Sequence, residues 1–533
     1  MVSVETQSAV NAALQVNDLD GAGLIAEAAL GRGEQHAILY LFAGVRRQRA
    51  GDVRGAVSLI GKAQTLDPGN PSILMAHGDA LRFTGQLQEA RQCFERALAI
   101  DPMQLAAWYG LAITLDTMGL LDAALTAYAR VAELAPDTAP GHAGMASTLA
   151  QLGRRDEARA AANRALALAP TDAATLIALA RCELEDQQFD TAIGQLEALS
   201  QRTDLLAHDH VVTLSLLGDA LDSTGCTDRA FAAYSAANNR FAEIHAGPNA
   251  PPLHARLIDS IGAAVATADL DGFDTPAAAV PGAASSHIFL LGYPRSGNTL
   301  VEQVLASVPG VETLEERPTL AAAADGYLTP AGIDALGAMT GGEAMALRAA
   351  YWQSVRDAGI APEGRTFVDM DPFKALHLPL IARLFPEAKI IVMRRDPRDV
   401  IWSCFRRLFV FSEATYEFSS LIRAARHYDA MMRLTEQCLA RLPLRYHTMR
   451  YVDLVRDFDG ETKRLCAFAG LPWSESLRHF DRTAMTRPVS TRSAAQVRSG
   501  LFDGTGQWRR YARQLEPVLP ILEPWVQKFG FAA

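Results

Sequence analysis

Two patterns of apolar and polar positions divide this chain. From about residue 15 to residue 240, apolar residues recur at helical spacing in short blocks, punctuated by breakers and small residues. Prolines return at Pro68, Pro102, Pro136 and Pro170, glycines at Gly51, Gly85, Gly119 and Gly153, and alanines at Ala56, Ala90, Ala124, Ala158 and Ala192. Each series has a period of 34 residues. After Ser286 the pattern changes. Short apolar runs at Ile288–Leu291, Phe367–Asp369 and Lys389–Met393 alternate with stretches at helical spacing. Such runs predict buried strands alternating with helices, hence a three-layer α/β domain with a mainly parallel sheet. Ligand loops belong at the C-terminal ends of its strands.

The 34-residue period is the signature of tetratricopeptide repeats (TPR), antiparallel helix pairs stacked into an α-helical solenoid. The clearest unit runs from about Leu105 to Thr138, with Trp108, Leu111, Gly119, Ala124, Tyr128 and Pro136 at the consensus positions. A weaker unit surrounds Ala192, another lies around Gly225 and Ala230 after an insertion, and the segment to about Gln48 reads as a cap or degenerate first unit. Such arrays bind a protein or peptide, or serve as a scaffold or homodimer surface. The turn-rich stretches GPNAPP and TPAAAVPGAASS flank one expected helix, Leu253–Ala268. The expected organisation is therefore a repeat array over 1–245, a helix and linker over 246–286, and the α/β domain over 287–533.

Composition narrows the function classes. With 533 residues, several cores are expected. The formal net charge of -10 argues against a nucleic-acid partner. No apolar run spans a bilayer and the N-terminus lacks a signal-peptide pattern, so no membrane association and a cytoplasmic location are expected. Six scattered cysteines without a CxxC pair fit reduced thiols, and no metal site is expected.

The richest chemistry lies in Ile288–Leu305, IFLLGYPRSGNTLVEQVL. An apolar strand, a glycine-bounded loop and a helix start together make an anion cradle, because first-turn N–H groups lack intrahelical partners and the helix dipole adds positive charge. Gly292, Gly297 and Thr299 fit the P-loop pattern, but Asn298 stands where a nucleoside triphosphatase has lysine. Arg295 can supply a cation from within the loop.

GYPRSGNTL resembles the 5′-phosphosulfate loop of sulfotransferases, in particular the tyrosylprotein branch and its bacterial TPR-fused relatives. The resemblance implies a P-loop-like sulfotransferase domain using 3′-phosphoadenosine 5′-phosphosulfate (PAPS) as donor, with Arg295, Ser296, Gly297, Asn298 and Thr299 on the phosphosulfate. It also implies a catalytic base at Glu316, with Glu315 the neighbouring alternative. The family lysine before the next turn is Met370 here, and Lys374, four residues on, is the candidate replacement. Arg395, Ser403 and Arg407 resemble the 3′-phosphate segment. Ser403 and Arg407 are four apart, which places them on one helix face. Two arginines and a hydroxyl make a phosphate clamp. Tyr451, Ser493, Arg498 and Trp508 match regions that contact or cover the nucleotide. The expected activity is sulfuryl transfer to an acceptor hydroxyl, giving adenosine 3′,5′-bisphosphate (PAP). The acceptor is a protein or peptide tyrosine recognised with help from the repeats, or a small-molecule or glycan hydroxyl. A repeat scaffold with an inactive transferase domain and a P-loop kinase are the competing classes.

Overall fold

A computed structural model describes residues 2–245, 254–270, 273, 280–486 and 500–531. Packing divides the chain into two compact units, Met1–Asp209 and His210–Ala533. No helix among the described residues is long and apolar enough to cross a membrane.

The first unit is all helical, running from Val4–Gln15 to Phe189–Ser200 in antiparallel pairs. Bulky residues on one helix fill the gap opposite glycine on the next. A Cβ on Gly78 or Gly110 would come within 2.9 or 2.5 Å of the Phe94 ring, so each helix of the pair approaches only because glycine is there. Tyr128 packs on Gly144 in the same way, one period later.

The turn between helices explains the glycine series. Gly51, Gly85, Gly119 and Gly153 have φ between 73° and 86°, a left-handed conformation that costs other residues energy. Asn17 (φ 55°) and Gln187 (φ 60°) adopt the same conformation one period before and one period after the glycines. The array is thus regular in backbone where its sequence has degenerated. Gln187→Gly should stabilise the first unit by about 0.5–1 kcal/mol, the relief of left-handed strain less the added freedom of the unfolded chain. A raised melting midpoint is the expected readout; an unchanged or lowered one would show that Gln187 is not strained.

The second unit holds a five-stranded parallel sheet in the order β2-β3-β1-β4-β5. The strands are β1 (Ser286–Leu291), β2 (Val311–Glu315), β3 (Thr366–Met370), β4 (Lys389–Arg394) and β5 (Arg445–Arg450). The three apolar runs read from sequence are β1, β3 and β4, the centre of the sheet. Residues alternate between its faces. Ile288, Leu290, Val368, Met370, Ile391 and Met393 pack with Val301, Val304 and Leu305 of the helix that follows β1. On the other face, Phe289 and Phe367 join a ring cluster with Tyr351, Trp352 and Phe385, for example Trp352–Phe367 at 5.6 Å. Helices cover both faces, as a parallel sheet requires.

Val311–Glu315 has no apolar run, being polar at Glu312, Thr313 and Glu315, yet it is an edge strand paired with β3. Gly341-Gly342 opens the helix Gly341–Asp357, behind a capping box between Thr340 and Glu343.

The pair of helices Ala207–Ser223 and Thr227–His245 resembles the repeats in sequence, but from His210 onward it packs within the second unit. Tyr234 stacks edge-on against Trp402 at 5.8 Å, and Phe231 lies 5.6 Å from Phe405.

Candidate active site

Because every strand runs parallel, the loops after β1, β2, β3 and β4 open at one edge of the sheet. The loop after β1 turns at Arg295 (φ 69°) and Gly297 (φ 104°) before the helix Asn298–Ala306 begins. Gly292 is forced by closeness: a Cβ there would lie 2.9 Å from the Met393 carbonyl oxygen. At Gly297 a Cβ would lie 2.8 Å from the Tyr451 ring. The buried Asn298 side chain turns inward and donates to the Tyr293 carbonyl at 3.0 Å. It braces the loop, so what Asn298 offers an anion is its backbone N–H at the helix start. Ser296 and Thr299 are buried in the same cradle. Tyr293 is itself fixed by a 2.6 Å bond to His427, which lies 2.8 Å from His254.

Four arginines gather beside this loop. Arg295 donates from Nε to Ser403 Oγ at 3.0 Å, joining segments more than a hundred residues apart. Burial, and then the guanidinium groups of Arg407, Arg395 and Arg406, bring the pKa of Arg295 down to about 10. Arg395 is buried, donates to the carbonyls of Arg295 (2.9 Å) and Gly504, and lies over the Tyr451 ring at 4.9 Å. Its Nε is buried without a hydrogen-bond partner, an orphan donor of the kind that marks a ligand position. A concentration of like charge around a hydroxyl and a helix start is suited to a phosphate-type anion.

The helix Pro397–Phe405 carries Ser403 but stops before Arg407, so the two do not share a helix face as the spacing predicted. Three contacts end it. Asn238 Nδ2 donates to the Phe405 carbonyl at 2.8 Å, Asp222 pairs with Arg406 at 3.0 Å and Asp219 pairs with Arg407 at 3.1 Å. Arg407 nonetheless stays within electrostatic reach of Arg295.

Glu316 forms the other side of the edge. Its N–H donates to the Met370 carbonyl at 2.7 Å, so the backbone is fixed by the end of β3, and its φ of 48° turns the chain sharply. The residue is exposed, yet enough protein surrounds its carboxyl to strip away part of its hydration. That desolvation, with the nearby carboxylates of Asp371, Glu315 and Glu302, pushes its carboxyl up to about 7, and Lys374 pulls weakly the other way.

Lys374 folds inward, but not into open space. Its ammonium lies 2.5 Å from Asp369 Oδ1 and 3.3 Å from the Arg317 carbonyl, and it is almost fully buried. Asp369, at the end of β3, also accepts from Thr319 (2.7 Å) and Tyr351 (2.8 Å). Sequence reasoning passed over Asp369; an acid at the end of an otherwise apolar run, beside a candidate lysine, was the available signal.

Tyr451 begins the helix Tyr451–Arg456, with its ring under the loop and its hydroxyl donating to the Phe502 carbonyl. Asp399 accepts from the N–H groups of Gly506 (2.7 Å) and Trp508 (2.9 Å). Residues 502–508 are thereby tied down beside Arg395. Trp508 itself is packed under Arg398 at 4.1 Å. Ser493 and Arg498 lie outside the described residues.

Residues 287–475 match the model of the sulfotransferase family, and 84–148 and 139–182 match tetratricopeptide-repeat models. Over 252 residues the chain is 29% identical to an uncharacterized protein of Aquifex aeolicus, covering 45% of this chain and 33% of that protein. It is 27% identical to protein-tyrosine sulfotransferase 1 of Danio rerio, covering 36% of this chain and 56% of the relative. It is also 27% identical to protein-tyrosine sulfotransferase 2 of Gallus gallus, covering 36% and 53%. The chain spans between a third and little more than half of the length of these relatives. Residues 287–475 are a domain of the sulfotransferase family, carried on a chain whose N-terminal part is built of tetratricopeptide repeats.

Proposed function

We propose that this protein is a sulfotransferase moving the sulfuryl group of PAPS to an acceptor hydroxyl. The observation that carries the reading is the convergence of Arg295, Ser403, Arg395 and Arg407 on one helix-start cradle. What supports a phosphate-bearing donor at this site is the Arg395 Nε, a buried donor without a hydrogen-bond partner beside the helix start. In this reading the Arg295 guanidinium, the Ser296 hydroxyl and the N–H groups from Gly297 to Thr299 hold the 5′-phosphosulfate and stabilise the leaving phosphate oxygens, the Ser296 N–H being spent on the Tyr293 carbonyl. Arg395, Ser403 and Arg407 hold the 3′-phosphate. Tyr451 supports the loop from beneath. Ser493 and Arg498 keep the nucleotide-covering role implied by the family.

Glu316 takes the proton from the acceptor hydroxyl at its carboxylate oxygen. Lys374 is a cation felt by that carboxylate and holds the turn through the Arg317 carbonyl. Its charge stands in for that of the family lysine replaced by Met370. The acceptor is a tyrosine of a protein or peptide engaged by the repeats, or a small-molecule or glycan hydroxyl. The relatives named protein-tyrosine sulfotransferase support the first.

The test is donor-dependent transfer of labelled sulfate to a panel of tyrosine peptides and small hydroxyl compounds across pH. A base works only as the carboxylate, and Glu316 loses its proton around pH 7. The rate should therefore rise with pH to a plateau above about 8, falling roughly tenfold per unit well below 7. A rate flat between pH 5 and 8 would remove Glu316 from the base role. Absence of transfer to every acceptor, with intact nucleotide binding, would favour the inactive scaffold.

A further inference from the structure

The repeat-like helix pair Ala207–Ser223 and Thr227–His245 does more than precede the transferase domain. We infer that its Asp219 is a positioning residue of the nucleotide site, holding Arg407 in place for the 3′-phosphate. The inference rests on the functional reading above. It assigns to the end of the repeat region a part in donor selectivity rather than in partner recognition.

The contacts form a two-step chain. The buried Tyr234 donates its hydroxyl to Asp219 Oδ1 at 2.8 Å, which fixes the carboxylate plane. Asp219 Oδ2 then accepts from Arg407 Nη1 at 3.1 Å. Arg407 lies beyond the end of the helix Pro397–Phe405, with no helical backbone to orient it. Its side chain is 36% exposed, so a free arginine there would sample many rotamers. The carboxylate removes that freedom before the anion arrives, the usual route by which preorganisation raises affinity. Only one edge of the guanidinium is taken, leaving other donors for a phosphate. Asp222 does the same for Arg406 and is held by the Tyr511 hydroxyl at 2.6 Å. Asp222 also accepts from Arg510, so three basic or hydroxyl groups converge on it. Asn238, on the second helix of the pair, holds the Phe405 carbonyl that ends the arginine-bearing helix.

An acid beside a phosphate-binding arginine has two possible effects, and they differ in sign. As a positioner it strengthens binding of the 3′-phosphate. As a competitor it weakens it. The Tyr234 brace and the exposed position of Arg407 favour the first.

Calorimetric titration of the full chain with PAP and with 5′-AMP separates these. The two nucleotides differ only in the 3′-phosphate. Asp219→Asn should weaken PAP about 3- to 10-fold, the range set by immobilising one long side chain. Binding of 5′-AMP should be unchanged or slightly tighter, since the lost negative charge acts on both nucleotides. Tyr234→Phe keeps every charge and should weaken PAP in the same direction by a smaller factor. A general folding defect would lower both affinities together and would overturn the inference, as would tighter PAP binding by Asp219→Asn. An unchanged PAP to 5′-AMP ratio in both variants would also overturn it, while leaving the nucleotide reading intact. Equal affinities for the two nucleotides in the unmodified protein would instead defeat the nucleotide reading itself.

Discussion

Glu316→Gln should lower sulfuryl transfer by about 10²–10⁴-fold while leaving PAP affinity within about twofold, the usual scale for losing a general base. Glutamine keeps the shape of the side chain and removes its basic oxygen. The backbone anchor to Met370 does not depend on the side chain, so the turn should persist. Burial raises the carboxyl of Glu316 to about 7 with the help of Asp371, Glu315 and Glu302, so that it is poised near neutral pH. Glu315→Gln provides the control, since the sequence alone leaves both carboxylates in play. A small effect there and a large one at Glu316 is expected from kcat measured at saturating donor. The reverse order would move the base one residue back.

Asp369→Ala should destabilise the second unit by about 3–5 kcal/mol, the cost of leaving a buried charge without its partner. Asp369 is fully buried, and its removal takes the closest acceptor from the Lys374 ammonium, leaving it the Arg317 carbonyl and Asp371 at 3.9 Å, and takes an acceptor from the hydroxyls of Thr319 and Tyr351. Lys374→Met removes the charge instead and leaves Asp369 with its two hydroxyl donors. The double variant should lose less than the sum of the single ones, because neither charge is then left alone. Thermal melting of the four proteins checks this. The same set decides what Lys374 does. A protein that melts normally but has lost transfer would place the ammonium at the reacting centre. Loss of stability with proportionate retention of kcat in the folded fraction would confine it to holding the Arg317 turn.

Much of this architecture was legible in the sequence because it rests on local rules. Each turn of the array needs a left-handed residue, so glycine recurs and can be counted. Where Asn17 and Gln187 take that conformation, the count fails although the backbone does not. The central strands β1, β3 and β4 are buried on both faces and appear as apolar runs. The edge strand β2 is mostly buried, but Glu312, Thr313 and Glu315 deny it an apolar run. In the site, Arg295, Ser403, Arg395 and Arg407 could be picked out from motif spacing. Their neighbours could not. Asp219 meets Arg407 across 188 residues, and no periodicity links the two. Extending the helix from Ser403 to Arg407 was a fair reading of the spacing, and it failed because Asn238, Asp219 and Asp222 draw the chain away. Lys374 could face either solvent or the interior from its sequence position; it turns inward, onto a buried aspartate that the sequence does not announce.

The central claim is that two anion subsites belong to one nucleotide. Its most direct measurement is competition for the unmodified protein between PAP, 5′-AMP and ADP in a single calorimetric series. PAP should bind at least about tenfold more tightly than either, one charge-assisted phosphate contact being enough for that factor. Arg407→Ala should erase the difference. If ADP equals or exceeds PAP, or if Arg407→Ala leaves the preference intact, the arginines do not form a 3′-phosphate site and the proposed donor is wrong.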